Sequence, residues 1–415
     1  MKILWIVNMV MPELANYLQV TTGSSGTWMF DIAKRLGESP DYDFAVACVF
    51  GKQFRKEAVN NTMYYVLPGS GKNMLFYTRE YEEIWRDVIQ EFKPDIVHIH
   101  GTEYSHGLAC MRACPSMKYV ISIQGILSRI RDVDFAGLSW WEAFRYRTIR
   151  EYLKCNGMVE AHLLHCKNAK YEQEMIQRSS YANCVNTWDT SITKSINPSI
   201  KIFKLEYNLR EEFYTADKWD FNKIEPYSIF TNPGGTPLKG MHQLFRALAI
   251  VKKQFPDVRL YVPGMGDGNG RLNVTSGYTK YLKYLVSKLS IEDSINFLGR
   301  QSGPEMMNRM RSAHVVVVPS AIEGTSLVLR EAMYLGCPCI ASFRGGMADF
   351  ITDKVDGYLY DFQEYPYLAA RIMEVFSSED LSSLSKAAIQ KSMQAHDRNR
   401  NYQAYVNMYN SIFDN

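Results

Sequence analysis

"HVVVVPSAIEGTSLVLREAMYLGCPCIAS" runs from His314 to Ser342. A valine run ends at Pro319-Ser320, a short polar turn follows, apolar residues then recur at helical spacing, and a second apolar run begins at Cys337. A buried strand, a turn, a helix and another buried strand are the repeating unit of a parallel sheet covered on both faces. Such sheets bind ligands beyond the carboxyl ends of their strands, and here the polar residues collect at that place. Gly324, Thr325 and Ser326 precede a helix whose first N–H groups lack intrahelical acceptors. The amides from Thr325 to Leu327 are therefore expected to hold a phosphate. Glu323 stands before the helix, and Glu331 follows eight positions later, inside it. Glu331 is expected about two turns in, ~9 Å along the axis. That offset suits a ribose donating to Glu331 while its diphosphate rests at the helix start, with Glu323 facing the group beyond. A dipole-stabilising acid and a solvated helix glutamate are the plainer alternative.

The same rhythm extends in both directions. "KILWIVN", "DFAVACVF", "MYYVLP", "DIVHIH", "YVISIQ" and "AHLLHC" read as strands separated by helix-length segments. The polar stretch "TADKWDFNKIEP", Thr215 to Pro226, interrupts them, and the alternation restarts at "YSIFTN". The fold class expected is α/β: two doubly wound, Rossmann-like parallel-sheet domains, 1–215 and 216–386. A C-terminal helical segment, 387–415, is expected to pack back on the first. At 415 residues the chain is too long for one ordinary core. A composition of 46% apolar and 22% charged residues is that of a globular protein. The net charge of +3 gives no reason to expect nucleic acid as a partner. The N-terminus reads as a first strand rather than a signal peptide, and no stretch reaches the roughly 18 apolar residues of a membrane span. Eight cysteines without matching histidines suggest reduced thiols and no metal site.

"NPGGTPLKG" follows "YSIFTN" and places Lys239-Gly240 at a strand-to-helix turn, where a lysine adds its charge to the helix dipole as an anion contact. It is not a Walker A loop. With Glu323, Glu331 and the downstream "FRGGMADF", this order of motifs resembles the retaining, GT-B-fold, nucleotide-sugar glycosyltransferases of family four. The E-x7-E pattern matches, with Lys239-Gly240, "EAM", "GCPCIAS" and the Gly345-Gly346 pair around it, and "KPDIVHIHG" resembles the family's Pro-Asp-apolar-His stretch. The resemblance implies transfer of a sugar, with retention, from a nucleoside diphosphate to an acceptor hydroxyl. Lys239 and Glu323 would be catalytic. Gly240, Gly324, Thr325, Ser326, Leu327 and Glu331 would bind the donor, and Gly264, Arg300 and Gln301 would border the base. It implies no cofactor beyond the nucleotide-sugar substrate, a glycan or lipid-linked acceptor, and a role in surface polysaccharide assembly; the reduced cysteines and the lack of a membrane span lead to the expectation of a cytoplasmic protein at most peripheral to the membrane. Pro233 stands where many relatives carry an arginine, which leaves the diphosphate one strong cation unless a residue such as Arg344 substitutes, and Gln124, which cannot titrate, stands where many carry a histidine.

In the first domain, Gly23, Ser24, Ser25 and Gly26 form a glycine-rich loop before the helix "MFDIAKRL", expected on the acceptor side. His98 and His100 are expected on opposite sides of one strand, with His100 and Gln124 at the cleft. The stretch 128–154 interleaves arginines with Trp140, Trp141, Phe144 and Tyr146, and Arg147, Arg150 and Lys154 are expected on one helix face. Contact with an anionic membrane surface or an acceptor suits this composition, as does a packed Trp-rich helix. Two other functions stay open on sequence: a nucleotide-sugar epimerase and a non-catalytic nucleotide-sugar-binding protein.

Overall fold

The computed structural model describes residues 1–21, 26–70, 74–232 and 234–414. It divides into two compact units, one comprising Met1–Arg129, His165–Asn208 and His396–Asn415, the other Ile130–Leu164 and Leu209–Ala395.

In the first unit the described strands are β1 (Lys2–Ile6), β2 (Asp43–Val49), β3 (Arg55–Val59), β4 (Thr62–Leu67), β5 (Ile96–His100), β6 (Tyr119–Ser122), β7 (Tyr181–Asn183) and β8 (Lys201–Phe203). They form one sheet in the order β3-β4-β2-β1-β5-β6-β7-β8, parallel except for the antiparallel edge pair β3/β4. Alternate residues of β1 serve two cores. Ile3 and Trp5 pack with the helices Phe30–Glu38 and Arg398–Phe413, while Leu4 and Ile6 pack with Glu80–Phe92 and Ser105–Ala113. Both faces are dry, so the strand reads as a continuous apolar run. "AHLLHC" is not a strand; it lies within the helix Met158–Arg178, consistent with its lack of β-branched residues and its helix-forming Ala and Leu.

The C-terminal helix is tied in by a buried polar chain. Trp5 Nε1–H donates to Tyr409 Oη at 2.7 Å, and His98 Nδ1 lies 2.7 Å from the same oxygen. Because Trp5 can only donate, the tyrosine hydrogen is free for His98 Nδ1, and Nε2–H then donates to Ser122 Oγ at 2.8 Å. Burial holds the His98 pKa well below its usual value, which keeps the ring neutral. The helix Ser382–Ala395 belongs to the second unit, where Ser392 Oγ donates to the Arg330 carbonyl. The chain thus joins the first unit at His396, not 387.

The second unit contains β9 (Glu225–Phe230), β10 (Arg259–Val262), β11 (Ile295–Phe297), β12 (Ala313–Val318), β13 (Cys339–Ser342) and β14 (Tyr358–Tyr360). Their order is β11-β10-β9-β12-β13-β14, with parallel pairing throughout. The direction of winding reverses between β9 and β12, the topological switch point of a doubly wound sheet. The polar stretch at Thr215–Pro226 is not a free linker. Trp219 is buried, its indole N–H donates to the Ala313 carbonyl at 2.8 Å, and its backbone N–H donates to Leu335 at 2.7 Å.

Residues 130–164, expected in the first domain, pack within the second unit. His242 Nε2 lies 2.9 Å from the Ala136 carbonyl, and the buried Glu151 carboxylate accepts from the Gly277 N–H at 2.8 Å, capping the helix Gly277–Leu289. The aromatic stretch is also not one helix. It breaks into Trp140–Arg145 and Ile149–Lys154, each started by a capping box, from Ser139 and Thr148. Arg147 falls in the break and pairs with Glu160, so it does not share a face with Arg150 and Lys154. Among the described residues no helix is long and apolar enough to cross a membrane.

Replacing Tyr409 by Phe strands the Trp5 and His98 ring nitrogens in a dry core. Tyr409→Phe is expected to lose about 1–3 kcal/mol of unfolding free energy, read by urea denaturation.

Candidate active site

The switch point of the second unit brings two predicted residues together. β9 leads to the short 3-10 turn Pro237–Lys239, and β12 leads to Pro319 and Ser320. Lys239 Nζ pairs with Glu323 Oε1, which also accepts from Ser320 Oγ at 2.9 Å. The lysine side chain keeps 38% of its surface exposed and the glutamate 15%, so an anion has access to this cation.

Two glycines make the approach possible. Gly240 has φ +70°, and a Cβ there would lie 1.7 Å from the Pro319 carbonyl oxygen. Gly345 has φ +68°, and a Cβ there would lie 2.2 Å from the Glu323 carbonyl oxygen. Neither position admits a side chain. Main-chain bonds close the same gaps: Ala321 N–H to the Leu238 carbonyl at 2.7 Å, and Gly346 N–H to the Glu323 carbonyl at 2.8 Å. The loops after β9, β12 and β13 are thereby joined around Glu323.

The helix after β12 is Leu327–Leu335, with Ser326 as N-cap accepting from the Leu329 N–H. Gly324 is buried and Thr325 half-buried at its entrance. The N–H groups of Leu327 and Val328 lack intrahelical acceptors. Because the helix starts at Leu327, Glu331 lies only four residues in, ~6 Å along the axis rather than two turns. Nor does it face the solvent: Glu331 is 3% exposed and held by Arg210, Nε to Oε1 at 2.8 Å and Nη2 to Oε2 at 2.9 Å. Burial raises its pKa while Arg210 lowers it. Each carboxylate oxygen keeps lone-pair capacity for a further donor. Arg210, which also stacks on Phe213 at 4.9 Å, was missed on sequence. It stands 121 residues from its partner, in a stretch without a motif.

Gly264 and Arg300-Gln301 follow β10 and β11, and Gly264 N–H donates to the Gly299 carbonyl at 3.0 Å. Gly264 has φ +74° and, among the described residues beyond its chain neighbours, open space where a Cβ would stand; Arg300 is exposed, and Gln301 is half-buried. Arg344, the expected substitute cation, pairs instead with Asp361 at 3.0 Å. Pro233 lies outside the described residues. No group of three or more His, Cys, Asp or Glu among the described residues could hold a metal.

In the first unit the order reverses between β1 and β5. Gly23, Ser24 and Ser25 lie outside the described residues. Gly26 has φ +76°, and a Cβ there would lie 1.9 Å from Met9 Sδ, beyond the end of β1. His98 and His100 share one face, their rings stacked with centroids 4.0 Å apart; residues two apart on a strand point the same way, contrary to the expectation from sequence. His100 is buried and its pKa is pushed down to about 3 by burial. A Cβ on the neighbouring Gly101 would lie 2.7 Å from Glu103 Oε2 and 3.2 Å from Gln124 Oε1, so both side chains flank this glycine. His100 Nε2, Glu103 Oε2 and Gln124 Nε2 have no hydrogen-bond partner among the described residues. Glu103 was missed on sequence, as was Glu172, which accepts from the Leu127 N–H at 2.8 Å and the Ser128 N–H at 3.2 Å.

Burial raises the pKa of Glu103 to about 7 and that of Glu172 to about 8. In the unfolded chain both ionise near 4.5. Between pH 4.5 and 8 the folded state therefore binds more protons, and the contribution of these groups to stability falls as pH rises through that window. Glu172→Gln is expected to flatten the decline, by up to about 1.4 kcal/mol per pH unit, measured by denaturant titration from pH 5 to 8.

Comparison with known proteins finds similarity in both sequence and fold. Residues 216–392 match the family model for "Glycosyl transferases group 1". The D-inositol 3-phosphate glycosyltransferase of Mycolicibacterium smegmatis is 34% identical over 158 residues, covering 38% of this chain and 34% of that protein. That of Salinispora arenicola is 33% identical over 129 residues, 30% of this chain and 28% of that one. The match thus spans about a third of the length of these relatives. Among solved structures, sucrose-phosphate synthase from Thermosynechococcus elongatus superposes with a TM-score of 0.72 at 15% identity, covering 100% of this chain and 99% of that one. Anabaena HepE in complex with UDP and glucose gives 0.67 at 17% identity, covering 99% and 100%. At these identities the structures speak for the fold, which is GT-B. The sequence similarity to the group 1 glycosyl transferases lies in residues 216–392.

Proposed function

We propose that the protein transfers a hexose-like group, with retention, from a nucleoside diphosphate to an acceptor hydroxyl. The observation that carries this reading is the accessible Lys239–Glu323 pair at the β9/β12 switch point, beside the amides that open the helix Leu327–Leu335. Breaking the anomeric bond leaves negative charge on the departing diphosphate. A lysine and oriented N–H groups fixed before reaction stabilise that charge more than the ground state. A diphosphate arriving here competes with Glu323 for Lys239, which frees the Glu323 carboxylate to accept from a hydroxyl of the sugar. Glu331, oriented by Arg210, takes the ribose hydroxyls, and Gly264, Arg300 and Gln301 border the base. His100 and Gln124 serve the acceptor side. Relatives whose names specify a glycosyltransferase, and a HepE structure holding UDP-glucose, support a nucleotide-sugar donor.

The acceptor in this reading is a glycan or a lipid-linked hydroxyl of surface polysaccharide assembly, and the protein works in the cytoplasm. Eight free cysteines, five of them buried as thiols, support a reducing compartment.

A thermal-shift screen over UDP-, GDP- and ADP-sugars is expected to show stabilisation by one nucleotide family. Lys239→Ala should cut turnover by roughly a hundredfold or more with the fold intact, whereas Glu331→Gln should chiefly weaken donor binding. Since the protein supplies the positive charge, a chelator should leave turnover unchanged. Full transfer by Lys239→Ala removes that residue from the mechanism. Conversion of the donor to an altered nucleotide sugar without any acceptor identifies an epimerase instead.

A further inference from the structure

The helices Trp140–Arg145 and Ile149–Lys154 turn outward a set of side chains that globular domains usually bury. Trp140 is 58% exposed, Trp141 66%, Phe144 54%, Ile149 82%, Tyr152 67% and Leu153 76%. Ile149, Tyr152 and Leu153 stand at i, i+3 and i+4, which makes one apolar stripe. The helices are firmly built. Both begin with a capping box, and the second is anchored through the buried Glu151 to the Gly277 N–H. So large a group of exposed apolar side chains marks an interaction site.

Charge decides what covers it. The acids of this segment's helical part are engaged internally: Glu142 in the Ser139 cap, Glu151 at Thr148 and Gly277, and Glu160 with Arg147. The exposed cations Arg145, Arg150 and Lys154 make no ion pair among the described residues. A two-fold contact with a second copy would set this cationic face against itself. An anionic surface meets both the cations and the apolar stripe. Trp141 and Arg145 also line a cavity of about 300 Å³ with Arg246, Tyr281, Lys288 and Glu142, the last a carboxylate taken up by the Ser139 cap. There the Arg246 guanidinium donates to Tyr281 Oη at 3.0 Å, and neither Arg246 nor Lys288 pairs with a carboxylate among the described residues. The site has the chemistry of a phosphate pocket beside an apolar insertion face.

We infer that this face docks on a bilayer of anionic phospholipid, with Trp140, Trp141, Phe144, Ile149, Tyr152 and Leu153 entering the interface and the Arg145–Arg246–Lys288 cavity receiving a headgroup phosphate. The inference stands apart from the glycosyltransferase reading, because it needs neither donor nor acceptor.

The test is co-sedimentation of the full chain, without nucleotide sugar, with vesicles of phosphatidylcholine alone or mixed with phosphatidylglycerol. Binding is expected only to the anionic vesicles. The double variant Ile149→Glu/Leu153→Glu alters exposed positions and should weaken it at least about tenfold. Arg150→Ala/Lys154→Ala should weaken it by about fivefold per cation and reduce its salt dependence, and Arg246→Gln/Lys288→Gln should lower the preference for phosphatidylglycerol. The inference is overturned if the wild-type chain stays in the supernatant, or if Ile149→Glu/Leu153→Glu binds as well as wild type. It is equally overturned if that variant turns a lipid-free dimer into a monomer, which would make a second copy the occupant. Nucleotide-sugar stabilisation of the same variants reports on the donor reading separately.

Discussion

The second unit depends on backbone meeting backbone at the carboxyl ends of β9, β12 and β13. Gly240 lies against the Pro319 carbonyl and Gly345 against that of Glu323, at distances no Cβ could occupy. The main-chain bonds Ala321 to Leu238 and Gly346 to Glu323 close the same gaps. A single tight contact would orient one loop. Two, on either side of Glu323, fix its carboxylate between the lysine that follows β9 and the helix that follows β12. The ion pair follows from that backbone geometry rather than producing it.

The two carboxylates of the E-x7-E pattern live in different electrostatic settings. Glu323 shares a partly open position with Lys239. A surface pair of this kind contributes little to stability, so its partners are free to exchange for a ligand. Glu331 is enclosed and held through both oxygens by Arg210. Removing one member of such a buried pair leaves an uncompensated charge, which costs more than the pair itself contributes. The first is therefore an exchangeable contact, and the second is a carboxylate fixed in place by its arginine.

The first unit solves a different problem. Its sheet buries His98, Trp5 and Tyr409 in a dry core, where each polar atom must be satisfied, and the C-terminal helix supplies the hydroxyl that does so. Around Gly101, by contrast, His100, Glu103 and Gln124 keep polar atoms without partners among the described residues. Satisfied groups bind the helix to the sheet, whereas those around Gly101 stand at the strand ends with hydrogen-bonding capacity unused among the described residues.

Sequence by itself determined the alternation of β-branched runs with helices, and hence parallel sheets, because a strand buried on both faces must be apolar along its length. It also placed Lys239, Glu323 and the Thr325–Leu327 turn at strand ends, since their spacing from the valine run is local. Only tertiary structure decided the rest. Arg210 reaches Glu331 across 121 positions, and no local pattern reports a partner so distant. The segment 130–164 and Trp219 joined the second unit through buried hydrogen bonds that their polar surroundings concealed. The reading of "AHLLHC" as a strand failed because a short apolar run carries no period of its own, and the flanking residues made it helix. The exposed face at 140–154 was visible as composition, but whether those aromatics packed inward or faced out depended on what lay opposite them, which is a property of the fold.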